Sequence, residues 1–249
     1  VNVNKILDYD DFSTNEFVEI RRITESGYHR KSWENLALTN GFMRLGCFDD
    51  KNIALGLGCL VEPIIFIYTK YFKHTYATDI AYYPDKFWGK QSFTPEQVYA
   101  SAKISYDRDK LTVLPMDMKK LEFDNDTIDI VWSSSSVEHI GGLEDILACF
   151  KEIERVLKPS GACGMTVEWN LDYQDKVVKF NNVLCFNICV LDKIKEVCPR
   201  LVLVEPMQTT RSSNPKNLEP EYFRGKTNFP KQHKSHVDFT SASIFWRKF

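Results

Sequence analysis

Short apolar runs of strand length alternate with stretches of helical periodicity from residue 52 onward, and that alternation leaves few architectures open. NIALGLG, HTYATDI, LTVLPMD, TIDIVWSSS, ACGMTVEW and PRLVLVEP read as strands of a buried sheet. Residues 63–72, about 96–102, the stretch LEDILACFKEIERVL and about 182–198 read as helices, and Pro159 and Gly161 stop the third of these. A strand that returns through a helix lies parallel to its predecessor, with a right-handed crossover. The expected fold is therefore a doubly wound, mostly parallel α/β sheet with helices on both faces. Residues 208–235, rich in Pro, Asn and Lys, read as a long loop instead. FTSASIFWRKF then closes the chain as a seventh strand, which can pair antiparallel because no helix carries the chain back.

Two helices precede the first strand. Ser13 and Thr14 can cap one that runs to about residue 26, with Phe17, Ile20 and Ile23 on one face. The second spans about 30–45, with Trp33, Leu36, Ala37, Asn40 and Phe42 at helical spacing and Gly46 at its end. A length of 249 residues suits one large α/β domain or two small ones, and a hydrophobic share of 43% is enough for a sizeable core. The net charge of −2 lies in mixed runs and makes no basic field, so no nucleic-acid partner is expected. No membrane span is expected either, since the longest apolar run, Leu60 to Tyr68, already contains Glu62 and Pro63. The opening VNVNKILDYDDF has no signal-peptide core. Seven cysteines with no C-x-x-C pair argue against a disulfide framework or zinc knuckle and for a reducing cytoplasm. Cys185 and Cys189, one turn apart in the expected helix, read as core packing.

The polar residues gather where strands end, which is where ligands sit in such sheets. In IALGLGCLVEP, Gly56 and Gly58 let the backbone turn tightly and approach a ligand, and the next helix points free N–H groups at an anion. A turn that holds nothing has the same composition. Asp79 closes the second strand, where a carboxylate can accept from ribose hydroxyls or cap a helix. Met116 and Asp117 close the third; the acid can accept from an adenine amino group while Met118 packs on the ring, or it can lie on the surface. Trp132 leads into four serines, too polar for core and suited to a loop that opens on a cleft. That indole can attract a sulfonium or sit in the core. Glu138 and His139 follow, able together to take a proton from a hydroxyl, or simply to form a satisfied pair at a helix entry. His233 and His236 read as solvated loop.

Taken in order, ALGLGCLVE, the acid ending strand two, MDMKKLEFDNDTIDIVWSSSSVEHI and RVLKPSG resemble the class I S-adenosylmethionine-dependent methyltransferase superfamily over about residues 28–170, with a terminal strand at 238–249. Within it the chain is similar to bacterial methyltransferases found among polysaccharide-assembly proteins. Those carry a GLG-type loop followed by EP, here ending in Glu62 and Pro63, and an aromatic-rich excursion after strand two, here residues 82–110. They also carry a TxExN segment, here Thr166, Glu168 and Asn170. The resemblance implies S-adenosyl-L-methionine as cofactor, held by Gly56, Gly58, Glu62, Asp79, Asp117, Met118 and Ser134, with Arg30 and Trp33 of HRKSWE lying against it. Residues 1–249 would form one domain whose N-terminal helices, about 13–46, cover the cofactor cleft. The implied reaction is methyl transfer to a hydroxyl of a glycan or other small-molecule acceptor. His139 is the first candidate for the base, with Glu138 or Glu168 next. The aromatic excursion, Tyr82 to Tyr106, would suit a lid over a sugar ring or ordinary helix packing.

Departures from the pattern cluster in one loop. The superfamily carries an acid two residues before the central glycine, where this chain has Gly56, and Leu60 and Glu62 replace two further glycines. Glu62 can restore a carboxylate near the methionine amino group. Ser135 stands where relatives with a metal site have an acid, so no metal is expected. The altered loop also admits a non-catalytic binding or scaffold protein on the same fold. A nicotinamide-dependent oxidoreductase would need a G-x-G-x-x-G spacing that is absent, and a nucleic-acid methyltransferase an N/D-P-P-Y/F motif that EWNL is not.

Overall fold

The computed structural model describes residues 2–24, 27–83, 92–180, 182–219 and 238–249. A short strand β1 (Lys5–Ile6) leads into helices α1 (Asn15–Thr24) and α2 (Arg30–Arg44). Then come β2 (Ile53–Leu57), α3 (Pro63–Tyr68), β3 (His74–Asp79), α4 (Pro95–Ala100), β4 (Leu111–Pro115), β5 (Ile128–Ser134), α5 (Leu143–Val156) and β6 (Leu157–Asn170). A hairpin of β7 (Val178–Phe180) and β8 (Val183–Cys185) precedes α6 (Ile188–Val197), β9 (Leu201–Leu203) and β10 (Phe239–Lys248).

The main sheet runs β1-β10-β6-β5-β2-β3-β4, with β9 also on β10. The pairs β2/β3, β3/β4, β2/β5 and β5/β6 are parallel. β10 lies antiparallel to β6, as expected for the closing strand, and antiparallel to β9 and β1 as well. Strand order reverses at β2, whose neighbours β3 and β5 belong to opposite halves of the sheet. A crevice opens there, outside the carboxyl ends of the strands.

Alternate residues of each strand feed opposite faces. Leu55, Val131, Met165 and Ile244 pack with Phe150, Ile153 and Ile194 of α5 and α6. Ala54, Trp132 and Phe245 pack with Phe42, Ile65 and Tyr68 of α2 and α3. A third cluster joins α1 to α2 through Phe12, Phe17, Ile20, Trp33 and Leu36.

Four expectations need correction. No loop separates α5 from β6: the Pro159–Gly161 segment is a bulge inside a 14-residue strand, where pairing jumps from Ile128/Leu157 to Ile130/Ala162 and Ser160 takes φ +66°. Residues 182–198 are not one helix. Val183–Cys185 hairpins back on Val178–Phe180, and α6 starts only at Ile188, capped by the Asn187 side chain on Val190 N–H. Cys185 and Cys189 therefore do not share a helix. The helix from Pro63 stops at Tyr68, where the Thr69 hydroxyl bonds the Phe66 carbonyl. Ile23 is 44% exposed rather than packed with Phe17 and Ile20. Phe87, Trp88, His233 and His236 lie outside the described residues, as does most of the expected late loop. All seven cysteines are free, and no helix among the described residues is long and apolar enough to cross a membrane.

Candidate functional site

A cavity of about 660 Å³ opens at the crevice, within the usual range for small-molecule sites. One wall is the loop after β2. Gly58 takes φ +68°, and a Cβ there would stand 2.6 Å from Ser136 Cβ, so only glycine fits. Leu60 adopts φ +44°, a left-handed conformation costly for a leucine. The loop is held from outside by the Ser136 hydroxyl, which donates to Gly58 O at 2.8 Å, and by the Tyr82 hydroxyl on Leu60 O.

Asp79, 6% exposed at the tip of β3, accepts from Leu60 N–H at 3.0 Å and from Ala81 N–H at 2.8 Å. It thus fixes the loop and caps the following turn while remaining on the cavity wall. Burial raises its carboxyl above the ordinary value, against the pull of the two N–H bonds. Asp117 accepts from Lys119 N–H at 2.9 Å, and Met116 and Met118 line the cavity beside it.

The opposite end is ionic. Arg30 begins α2, and its Nη1 meets Glu34 Oε1 at 2.9 Å, Glu168 Oε1 at 3.0 Å and the Ser241 hydroxyl at 2.9 Å. Lys31 Nζ pairs with Glu34 Oε2 at 2.9 Å and donates to Ser134 O at 3.3 Å. Burial works against the Arg30 charge, but Glu34 and Glu168 outweigh it and hold the guanidinium above its ordinary value. Burial likewise opposes the charge of Glu34, yet Lys31 and Arg30 keep its carboxyl low. Two further acids go the other way. Burial pushes Glu62 up to about 8, only partly relieved by Lys31. Burial, with Glu168 close by, pushes Glu138 up to about 8. Neither Glu138 oxygen bonds another residue among the described ones. Near neutral pH both are carboxylic acids, able to donate a hydrogen bond or to ionise against an incoming cation.

Of the residues singled out in the sequence, Arg30, Gly58, Glu62, Asp79, Asp117, Met118, Ser134, His139 and Glu168 converge on this one cavity. Three others do not line it. A Cβ on Gly56 would meet Trp132 Cζ2 at 2.4 Å, so that glycine serves the packing of the indole beneath the loop. Trp33 is fully buried between α1 and α2, its Nε1 donating to Asp11 Oδ2 at 2.8 Å. Glu138 sits behind the wall. Trp132 is likewise core, 5.0 Å from the Tyr68 ring. Ser136, the last of the four serines, lines the cavity as expected, while Lys31, Glu34, Lys119 and Ser241 belong to the site with no signal that singles them out in the sequence. Glu34 and Lys31 lie within HRKSWE, but nothing in a helical segment announces that its acid will be buried on β6 and β10.

The cavity fits an adenosyl amino acid. Its lining combines the apolar Met116, Met118 and Ile80 with the charged Arg30, Lys31 and Glu168 and with the buried acid Asp79 at a strand tip. The buried Ser135 hydroxyl in its wall has no hydrogen-bond partner among the described residues.

Residues 55–165 match the family model described as a methyltransferase domain. No curated protein matches the chain. Among solved structures, geranyl diphosphate C-methyltransferase from Streptomyces coelicolor A3(2), in complex with Mg2+, geranyl diphosphate and S-adenosyl-L-homocysteine, superposes with a TM-score of 0.59 at 13% identity, over 100% of this chain and 90% of that one. An S-adenosylmethionine-dependent methyltransferase from Clostridium acetobutylicum ATCC 824 gives 0.52 at 12% identity, over 96% and 98%. The [4+2]-cyclase SpnF gives 0.53 at 14% identity over 73% of this chain, which spans 62% of that protein. At these identities the neighbours speak for the fold, and the family model for the residues within it. Residues 55–165 are thus similar to a methyltransferase domain, and the chain shares the fold of S-adenosylmethionine-dependent methyltransferases.

Proposed function

We propose that this domain transfers a methyl group from S-adenosylmethionine to a hydroxyl of a glycan or another small molecule, in a reducing compartment such as the cytoplasm. The observation that carries the reading is the convergence of Gly58, Asp79, Met118, His139 and Glu168 on one cavity at the switch point of the sheet. The cofactor, when bound, supplies an electrophilic methyl carbon on its sulfonium. Asp79 would accept from the ribose hydroxyls, and Met116, Met118 and Ile80 would exclude water around the base. His139 would accept the proton of the acceptor hydroxyl and so leave its oxygen nucleophilic toward the methyl group that the cofactor would supply. Glu168, held in place by Arg30, lines the acceptor end. The polysaccharide setting rests on the GLG–EP loop and the Thr166, Glu168, Asn170 segment alone.

Calorimetry with S-adenosylmethionine, followed by mass spectrometry of hydroxyl-bearing acceptors incubated with enzyme and cofactor, tests this. Binding plus a 14-unit mass gain on a hydroxyl supports it. The loop departures favour one second reading, a protein of this fold without methyl transfer: Leu60 takes φ +44° where the superfamily has glycine, and the neighbour SpnF is itself named a cyclase. Saturable cofactor binding with no methylated product from any acceptor class would move the assignment there.

A further inference from the structure

The charged end of the cavity holds two side chains whose placement the fold does not require. Glu62 occupies the N-cap position of α3, yet its side chain makes no capping bond and lines the cavity instead. Lys31 lies in the first turn of α2; 48% of its side chain stays open, and it too lines the cavity. The two are near enough to influence each other's charge. A carboxyl and an ammonium facing a common space complement a ligand group that carries both charges in reverse.

Resting on the donor reading above, we propose that Lys31 and Glu62 form the subsite for a zwitterionic amino-acid group, Glu62 taking its ammonium and Lys31 its carboxylate, and that Glu62 releases a proton as the group enters. The Gly56 position, where the superfamily carries its acid, has no side chain and faces Trp132, so the acidic function moves from strand β2 to the start of α3. The groups facing Glu62 set the proton balance. These are Lys31 and Glu34 from α2, Asp79 and Tyr82 at and after the end of β3, Cys59 in the loop, Ser134 on β5 and Tyr68 from α3. Burial pushes the Glu62 carboxyl up to about 8, and Lys31, shared with Glu34, offsets that only in part. An arriving ammonium supplies the missing positive charge and favours the carboxylate, so the proton leaves to buffer.

The test compares two ligands on the intact chain: S-adenosylhomocysteine, which has the amino-acid group, and 5′-methylthioadenosine, which lacks it. Glu62→Gln and Lys31→Met should each weaken S-adenosylhomocysteine roughly 10- to 100-fold while leaving 5′-methylthioadenosine within about twofold. Titrations at pH 7 in two buffers of different ionisation enthalpy should show proton release on S-adenosylhomocysteine binding by the unaltered chain, and none with Glu62→Gln. Equal losses for both ligands, or proton release that survives Glu62→Gln, would overturn the proposal. If the unaltered chain binds neither ligand, it is the donor reading that fails. Thermal melts of the two variants separate lost binding from lost folding.

Discussion

Arg30 Nη1 lies 3.0 Å from Glu168 Oε1 and 2.9 Å from Glu34 Oε1, so one edge of a guanidinium ties the start of α2 to the end of β6. The Ser241 hydroxyl on β10 completes the contact at 2.9 Å. Charges this deep are tolerable only as a set, because each cancels the desolvation cost of another.

Arg30→Met should therefore unfold the protein more easily than the size of the substitution suggests. It removes the Arg30 pairing of Glu168 and weakens that of Glu34, at a cost of about 3 kcal/mol. Urea denaturation at pH 7 measures it. A loss below about 1 kcal/mol would mean that the carboxylates find other partners and that the cluster is not a stability element.

His139→Ala should lower turnover by roughly 100-fold or more while S-adenosylhomocysteine affinity changes less than about threefold. Steady-state rates with a methyl-accepting substrate, set beside calorimetry, separate the two. A variant with full methyl transfer removes His139 as the base and passes the role to Glu168.

Asp79→Asn keeps one acceptor oxygen for Leu60 N–H or Ala81 N–H but turns an amide nitrogen toward the other. Nucleoside binding should fall roughly 10- to 100-fold, for 5′-methylthioadenosine as much as for S-adenosylhomocysteine. Unchanged affinity would confine Asp79 to bracing the loop.

Stability should also depend on pH in a definite direction. Glu62 and Glu138 keep their protons up to about 8 in the folded protein, against an ordinary value of 4.5. Between those limits the folded state binds more protons than the unfolded one, so these two acids make stability fall as pH rises. The melting temperature of the ligand-free protein should drop from pH 5 toward pH 8, and Glu138→Gln should remove about half of the slope. A slope that the substitution leaves untouched would show that Glu138 is ionised in the fold.

Gly58→Ala forces a Cβ to within 2.6 Å of Ser136 Cβ at φ +68°. The expected cost is about 1–2 kcal/mol from the left-handed backbone alone, with cofactor affinity reduced as the loop shifts. Near-native melting and binding would show that the loop relaxes without penalty.

Much of this was legible in the chain itself. Alternating apolar runs and helical stretches set the sheet and its helices, because side-chain period is a local property that each segment carries alone. The acid at Asp79, the glycine at Gly58 and Ser135 and Ser136 past the end of β5 stood out as the wrong chemistry for an element's interior, whereas Ser133 and Ser134, read as loop, are the buried last residues of that strand. The errors fell where local signals conflict. Residues 182–187 have enough apolar character for a helix, but Phe186 N–H bonds to Glu168 O and Asn170 N–H to Phe186 O, and those bonds hold the segment extended against β6. Pro159 and Gly161 signal a break, and the sheet absorbs it as a bulge.

What the sequence determined, then, is which segments become strands, and hence that a crevice forms above β2 with an acid at the tip of its neighbour. What only the tertiary structure decided is the state of the charges around that crevice. Glu34, Glu62, Glu138 and Glu168 look alike in the chain. Lys31 and Arg30 keep the carboxyl of Glu34 low, Glu168 is paired with Arg30, and burial pushes Glu62 and Glu138 up, because a carboxyl's proton affinity is set by which cations and how much water reach it through space.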